Sequence, residues 1–210
     1  MKKADQTLPL GVLFIAVQLS DLVYGVTLLS GLEKIIILPG TNPLTSAEYI
    51  FFPLSHSLVA TILWAGLVTL IFHIAPFTTS IRKRKTTLIL VTAILSHFLL
   101  DALVHNPELD LLGNGIYKIG FGLWNYPLAS YIVEALFLVT GLWMYQRTIH
   151  SKNFSGKYGL PILSGILLIL NATNTFGLIP TNTEFFALTM LAIYLSTIVV
   201  AFWLDRRSTH

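Results

Sequence analysis

Three ionisable side chains recur at intervals of four residues within an apolar segment. His97, Asp101 and His105 occupy positions i, i+4 and i+8. On an α-helix of about 3.6 residues per turn, these positions fall within about 80° of one another on one face. Imidazole and carboxylate groups together commonly ligate zinc and related divalent ions, directly or through hydrogen bonds to the ligands. The pattern therefore predicts one wall of a metal site.

The composition of the chain is that of a membrane protein. Of its 210 residues, 54% are hydrophobic and only 11% are charged. Ordinary soluble domains are less apolar and carry about twice this share of charge. The chain contains no cysteine, which excludes thiolate metal sites and cysteine nucleophiles. Any metal ligand must then be a histidine, a carboxylate or water.

Apolar stretches long enough to cross a bilayer, which takes about 20 residues, recur along the chain. We predict an all-α, polytopic membrane protein with one transmembrane domain that covers residues 1–210 and contains six transmembrane helices. The segments 33–52 and 106–127 are predicted to be loops on the outer side. The predicted spans are residues 8–32, 56–73, 86–105, 128–145, 159–179 and 185–204.

The distribution of basic residues predicts the orientation in the membrane. Most of the 13 Lys and Arg residues fall at the termini or in alternate gaps between the apolar stretches, and only Lys34 and Lys118 fall on the opposite side. By the positive-inside rule, both termini are cytoplasmic and the protein is N-in/C-in in a bacterial plasma membrane. This distribution accounts for the net positive charge, so membrane lipids are predicted as partners and nucleic acid is not.

Carboxylates inside the predicted spans are the strongest indication of a functional site. Asp21, Asp101 and Glu134 each cost about 2.5–3.5 kcal/mol to insert at the centre of a membrane helix, and all Lys and Arg residues are assigned to loops and helix ends. These carboxylates must therefore be protonated, paired with histidinium or bound to a metal cation. The predicted orientation brings them to one depth, toward the periplasmic or extracellular side.

We predict a divalent-metal site, with zinc as the favoured ion, formed by His56, His97, Asp101 and His105. Asp21 and Glu134 are assigned as a general base, an orienting group or a further ligand. Five other residues are candidates for contacts with substrate or with the ligands, although helix–helix bonding, an aromatic belt or a solvated loop explains such residues equally well. They are Gln18, Glu108, Trp124, Asn171 and Asn174.

Of the three functions that the sequence leaves open, we favour the first, an intramembrane metal-dependent hydrolase. A metal-activated water could hydrolyse an ester, amide or phosphoester of a lipid-like substrate. The same carboxylates and histidines could instead form the relay of a cation or proton-coupled transporter. In a third interpretation, the polar cluster only joins helices in a scaffold. The substrate, the metal and the oligomeric state do not follow from the sequence.

Short motifs add a resemblance to known families. The segments Gln18–Leu22, Pro53–Leu58, Ser96–Pro107 and Gly120–Asn125 together resemble uncharacterised, permease-like integral membrane proteins of bacteria. The Ser-His-Ser-Leu and Ser-His-x-x-Leu-Asp elements are also similar to those of bacterial inner-membrane proteins described as metal-dependent hydrolases. The second resemblance implies a metal site at His56, His97 and Asp101. The chain departs from that pattern because it lacks both an upstream His-Arg pair and an early Pro-Asp-x-Asp run.

Overall fold

The protein is mostly helical, as the apolar sequence predicts. The structure is a computed structural model that describes residues 8–38, 42–74, 80–147 and 154–208. The described helices are α1 (Leu10–Val17), α2 (Leu19–Leu29), α3 (Pro53–His56), α4 (Leu58–Ile74), α5 (Ser80–Val104), α6 (Pro127–Gln146), α7 (Phe154–Phe176) and α8 (Thr183–Ser208). The described strands are β1 (Lys34–Ile37), β2 (Ala47–Phe51), β3 (Leu109–Asp110) and β4 (Lys118–Ile119).

Four helices are long and apolar enough to cross a membrane, which confirms the prediction of transmembrane helices. They are α5, α6, α7 and α8, which provide apolar stretches of 20–23 residues. The first predicted span, residues 8–32, consists instead of α1 and α2, which are bent by 56° at a break and reach the required length only as a pair. The second contains α4, which has 17 residues. The described part of the chain thus has four candidate membrane spans, or five if the bent pair is one span.

The bend between α1 and α2 lies at Gln18. Its backbone dihedrals, φ −93° and ψ 11°, are those of the sparsely populated bridge region rather than of a helix. Gln18 still accepts from the N–H of Leu22 and donates its own N–H to Phe14. The helical path is therefore redirected there without being lost, one turn before Asp21.

The predicted span from residue 56 to 73 is also interrupted. Pro53 begins the short helix α3, in a first-turn position that needs no N–H donor. Ser57 then adopts an extended conformation, with φ −87° and ψ 155°. Its hydroxyl accepts from the N–H of Ala60 in the first turn of α4. His56 consequently ends α3 and is not part of the long helix α4.

The two segments predicted as loops contain short β-hairpins. Strands β1 and β2 pair antiparallel, with Ile35 opposite Tyr49, and strands β3 and β4 pair with Leu109 opposite Ile119. Both hairpins lie at the end of the helices where α2 and α5 finish and α4 begins, which we call the hairpin end. Leu111 ties the second hairpin to α4 by accepting a hydrogen bond from the N–H of Val59 at 3.2 Å.

Helix α8 packs along the bent pair, and α5 packs between α1 and α4. At the contact of α2 with α8, Gly25 allows a close approach, because a Cβ atom there would lie 2.5 Å from Cγ of Leu191. A cluster of buried residues that includes Tyr24, Phe52 and Ala102 supports the hairpin end. This packing holds α2, α3 and the last turns of α5 together.

Candidate metal centre

Three helices bring an aspartate and two histidines together below the hairpin end. Asp21 lies in the first turn of α2, His56 ends α3, and His97 lies two turns before the end of α5. One ligand atom from each residue lies within 4.8 Å of the others. His56 is buried, while Asp21 and His97 are partly buried. The group therefore combines ligand chemistry with limited access to solvent.

The Asp21 carboxylate contacts both histidines through different oxygens. Its Oδ1 lies 3.3 Å from Nε2 of His56, and its Oδ2 lies 3.7 Å from Nε2 of His97. Asp101, one turn beyond His97 on α5, offers a single oxygen to the same two nitrogens. Its Oδ2 lies 3.2 Å from Nε2 of His97 and 3.8 Å from Nε2 of His56. Two carboxylates thus face two imidazole nitrogens around a common centre.

These separations match the spacing of ligands around one metal ion. Ligand atoms about 2.0–2.1 Å from a tetrahedral zinc lie about 3.3–3.4 Å from one another. The four nitrogen–oxygen separations run from 3.2 to 3.8 Å. Among the described residues, no Lys or Arg forms an ion pair with Asp21 or Asp101. A divalent cation would supply the missing positive charge.

Among the described residues, the Nε2 atoms of the two histidines face the carboxylates of Asp21 and Asp101. Nδ1 of His56 lies 2.8 Å from Oγ of Ser55, which itself donates to the carbonyl of Phe52. With its only proton used in that way, the serine oxygen accepts from a protonated Nδ1, so neutral His56 carries its lone pair on Nε2. Nε2 of His97 is buried and has no hydrogen-bond partner within the described part of the chain.

Glu33 is not one of the candidate ligands, but its carboxylate holds the segment that carries His56. Its side chain is 1% exposed. Its Oε1 accepts from the main-chain N–H groups of Leu54 and Ser55, at 2.8 and 3.0 Å. Its Oε2 accepts from the hydroxyl of Thr27 on α2. The carboxylate thereby joins α2 to the first turn of α3, the helix that ends in His56.

Aromatic side chains enclose the histidines on the side of the hairpins. The ring of Tyr24 meets that of His56 edge-on, with 5.0 Å between centroids. The ring centroids of Tyr49 and Tyr24 lie 6.2 Å apart. Burial raises the pKa of Tyr49 well above its ordinary value, and the nearby Glu108 carboxylate acts in the same direction. The Tyr49 hydroxyl therefore stays protonated at neutral pH and adds no charge to the site.

His105, predicted as a ligand, is separate from this group. Its Nδ1 lies 2.8 Å from Oε1 of Glu108, and its ring is buried against Trp124 and Tyr49, with centroid separations of 4.3 and 4.9 Å. The main-chain N–H of His105 still bonds to the carbonyl of Asp101, but its ring turns toward Glu108 and Trp124, and its centroid lies 6.4 Å from that of His56. Glu108 and Trp124, two candidates for substrate contacts, thus surround His105.

The remaining predicted residues lie in other contacts. Glu134 accepts a hydrogen bond from Ser130 one turn earlier on α6. The carbonyl of Asn171 accepts from Thr175, whereas Asn174 is exposed. Oε1 of Gln18 is buried without a partner in the described chain. Within the described residues, no ion pair or ring contact joins Glu134, Asn171 or Asn174 to the histidines.

Two residues of the site were missed from the sequence. Glu33 was assigned to a loop because it directly follows the predicted first span, whereas Asp21 lies inside that span. Tyr194 on α8 makes a side-chain hydrogen bond to Asp21, and a tyrosine in a membrane helix gives no signal of its own.

Comparison with protein-family models, curated proteins and solved structures finds no match for this chain.

Proposed function

We propose that the protein is an intramembrane, metal-dependent hydrolase that binds zinc or a similar divalent ion through His56, His97 and Asp21. The observation that carries the proposal is the set of four nitrogen–oxygen separations between 3.2 and 3.8 Å. Three protein ligands with one open position are typical of catalytic zinc sites, whereas structural sites use four. Asp101 then serves as a base beside the open position.

When bound, such an ion would lower the pKa of a coordinated water to about 7 and so supply a nucleophile for hydrolysis at neutral pH. The carboxylate of Asp101 would accept the proton of that water. Ser55 would hold His56 in the tautomer that binds metal. The resemblance to metal-dependent hydrolases implies the same two histidine ligands, His56 and His97, and places Asp101 at the metal site, where the proposal uses it as the base; the permease-like resemblance covers the same motifs.

The substrate and location are part of the proposal. We infer an ester, amide or phosphoester of a lipid, because the site lies where apolar helices meet the hairpins. The bent pair α1–α2 and the helix α4 would complete six spans with both termini in the cytoplasm of a bacterium. Under that topology the hairpin end, with Lys34 and Lys118 as its basic residues, faces the periplasm or the cell exterior.

A cation or proton-coupled transporter is the second candidate, and the break between α1 and α2 favours it. Discontinuous helices carry the ion and substrate sites of many secondary transporters, because the interrupted backbone can contact a ligand. Here the break at Gln18 lies one turn from Asp21, and Oε1 of Gln18 is buried without a partner in the described chain. Proton exchange between Asp21 and the two histidines would be the relay.

Elemental analysis of the purified protein tests the metal site. The protein, with its affinity tag removed, is expected to hold about one zinc, manganese or iron ion per chain, and His97→Ala is expected to hold none. His73→Ala is the matched control, because His73 is an exposed histidine in the last turn of α4. A parent protein without metal, or variants that retain equal amounts, would refute the site.

The two functions are then separated by two assays on the same preparation. Metal-loaded protein is incubated with a bacterial lipid extract, and hydrolysis products are identified by mass spectrometry. Proteoliposomes are tested in parallel for flux of zinc or protons. Products that disappear in His97→Ala support the hydrolase, whereas flux that disappears in Asp21→Asn, without products, supports the transporter and overturns the hydrolase.

A further inference from the structure

The hydroxyl of Tyr24 is buried next to the candidate metal centre and has no hydrogen-bond partner among the residues that the structure describes. The residue as a whole is 2% exposed. Burial of a hydroxyl without a partner is destabilising, so such groups are rare in native proteins and require an explanation. Tyr24 would gain from a hydrogen-bond acceptor that is not part of the described chain.

Tyr24 lies one turn after Asp21 on the same face of α2. Residues three apart on a helix are neighbours on its surface, and helical side chains lean toward the preceding turn. The Tyr24 ring contacts that of His56, with 5.0 Å between centroids. The rings of Tyr49 and Phe52 flank it, at centroid separations of 6.2 and 6.4 Å. The phenol is therefore held by aromatic packing beside two of the three proposed metal ligands.

Three carboxylates act electrostatically on this hydroxyl, those of Glu33, Asp21 and Glu108, but none of them accepts its proton. Glu33 instead accepts from two main-chain N–H groups of α3 and from a threonine of α2. Asp21 bonds to Tyr194, and Glu108 bonds to His105. A phenol with an ordinary pKa of about 10 is protonated at neutral pH. The hydroxyl is thus a hydrogen-bond donor whose nearby carboxylates are already bonded elsewhere.

The charges around the hydroxyl favour a neutral acceptor over an anionic one. Within the described residues, Lys and Arg form no ion pair with Glu33, Asp21 or Glu108. A phosphoester anion would therefore meet carboxylates without a basic side chain to offset them. The carbonyl oxygen of a carboxylic ester or amide carries no net charge when it binds, and it accepts a hydrogen bond. A donor fixed at such an oxygen stabilises the negative charge that develops on it in the transition state.

We propose that Tyr24 is a catalytic residue that donates a hydrogen bond to the carbonyl oxygen of the substrate, and that the substrate is a lipid carboxylic ester or amide. The oxygen of water adds to the carbonyl carbon, and the π electron pair moves onto the carbonyl oxygen, where Tyr24 stabilises the charge. The pair returns as the bond to the leaving oxygen or nitrogen breaks. The leaving group takes the proton that Asp101 accepted from the water. This inference rests on the proposed hydrolase and narrows its substrate class.

Tyr24→Phe tests this role, because it removes the hydroxyl and keeps the ring contacts. Metal-loaded, full-length protein in detergent is incubated with bacterial lipid extract, and products are followed by mass spectrometry. The parent is expected to release fatty acids, and Tyr24→Phe to release them about a hundredfold more slowly with the same zinc content, as for loss of one donor to an oxyanion. Tyr131→Phe is the matched control and is expected to keep the parent's rate. Tyr131 lies on α6, in ring contact with Phe176.

Unfolding temperatures in EDTA give a second measurement, which depends on neither metal nor substrate. Tyr24→Phe is expected to unfold at the same temperature as the parent or a higher one, because it removes a buried hydroxyl that has no partner in the described chain. A hydroxyl that bonds to a buried water or to another part of the protein predicts a lower unfolding temperature instead. That result would overturn the assignment.

The other outcomes separate this inference from the proposed hydrolase. Fatty-acid release by Tyr24→Phe at the parent's rate would overturn the role of Tyr24 and leave the hydrolase in place. Diacylglycerol or other products of phosphoester hydrolysis, without fatty acids, would overturn the substrate class and also leave the hydrolase in place. Loss of zinc in Tyr24→Phe would show that Tyr24 positions His56 and would overturn its contact with substrate. A parent that releases no products would refute the hydrolase, and the role of Tyr24 with it.

Discussion

Nε2 of His56 and Oδ1 of Asp21 lie 3.3 Å apart, although they belong to different helices that are separated in the chain by a β-hairpin. The same aspartate contacts His97 through its other oxygen at 3.7 Å. Asp21 therefore contacts both imidazoles, whereas the sequence left it open whether this residue is a general base, an orienting group or a further ligand.

Asp21→Asn tests that relationship. The amide keeps the shape of the side chain but removes its charge, so the affinity for zinc is expected to fall by about a hundredfold or more, as for loss of a ligand. Asp101→Asn is expected to cost about 10–100-fold, the usual effect of changing an outer partner of a metal site, if Asp101 acts as a base beside the ion. Zinc affinities are measured by competition with a chromophoric chelator. Equal affinities in the parent and Asp21→Asn would show that Asp21 is not a ligand.

His105→Ala separates two assignments of this histidine. The sequence predicts a ligand, whose removal would eliminate bound metal. Its hydrogen bond to Glu108 and its burial against Trp124 predict instead that the metal stoichiometry is kept and that the unfolding temperature in detergent falls. Loss of a buried ring of this size costs about 3 kcal/mol or more of stability. Elemental analysis and thermal unfolding of the same sample decide between the two, with His97→Ala as the metal-free reference.

Helical periodicity predicted part of the site correctly. The spacing of four residues between His97 and Asp101 implied one helix face, and Nε2 of His97 lies 3.2 Å from Oδ2 of Asp101. The same spacing predicts His105 as a further ligand; its Nδ1 bonds to Glu108 in the structure, and its role as a ligand stays a prediction. A spacing in the sequence identifies residues that share a helix face, but it does not identify the partner toward which a side chain at the helix end turns.

The predicted orientation brought residues of separate spans to one depth, but the bends and hydrogen bonds between elements could not be predicted from the sequence. The apolar composition predicted membrane helices, and four of the described helices are long and apolar enough to cross a membrane, but no proline or glycine marks the bend at Gln18. The hydrogen bonds from Leu54 and Ser55 to Glu33 depend on how the first hairpin returns the chain to α2. No periodicity links these positions, because their distance is set by packing between elements.

Metal binding is expected to weaken as the pH falls. Both imidazoles must be deprotonated to bind a metal ion, and the ordinary pKa of histidine is about 6.5. In the acidic range the apparent affinity is expected to fall by up to about a hundredfold per pH unit, since two protons compete with one ion at His56 and His97. Chelator competition between pH 5 and 8 measures this slope. A slope of one proton would mean that only one histidine binds the metal, and a pH-independent affinity would exclude both.

Glu33→Ala tests whether the carboxylate that joins α2 to α3 determines the position of His56. The substitution leaves the N–H groups of Leu54 and Ser55 without their acceptor in a buried setting, which costs about 1–3 kcal/mol for each unsatisfied group. We expect a lower unfolding temperature and, in protein that remains folded, weaker zinc binding. The loss of affinity reflects the position of His56, because Glu33 is not itself grouped with the ligands.

Two conservative variants distinguish this positioning role from a general loss of stability. Glu33→Gln keeps a carbonyl oxygen that can accept from Leu54 and Ser55, so it is expected to restore most of the zinc affinity lost in Glu33→Ala. Thr27→Val removes the donor to the other carboxylate oxygen and leaves the contact with α3, so it is expected to lower the unfolding temperature with little change in zinc affinity. If zinc affinity followed the unfolding temperature across all three variants, Glu33 would have a structural role only.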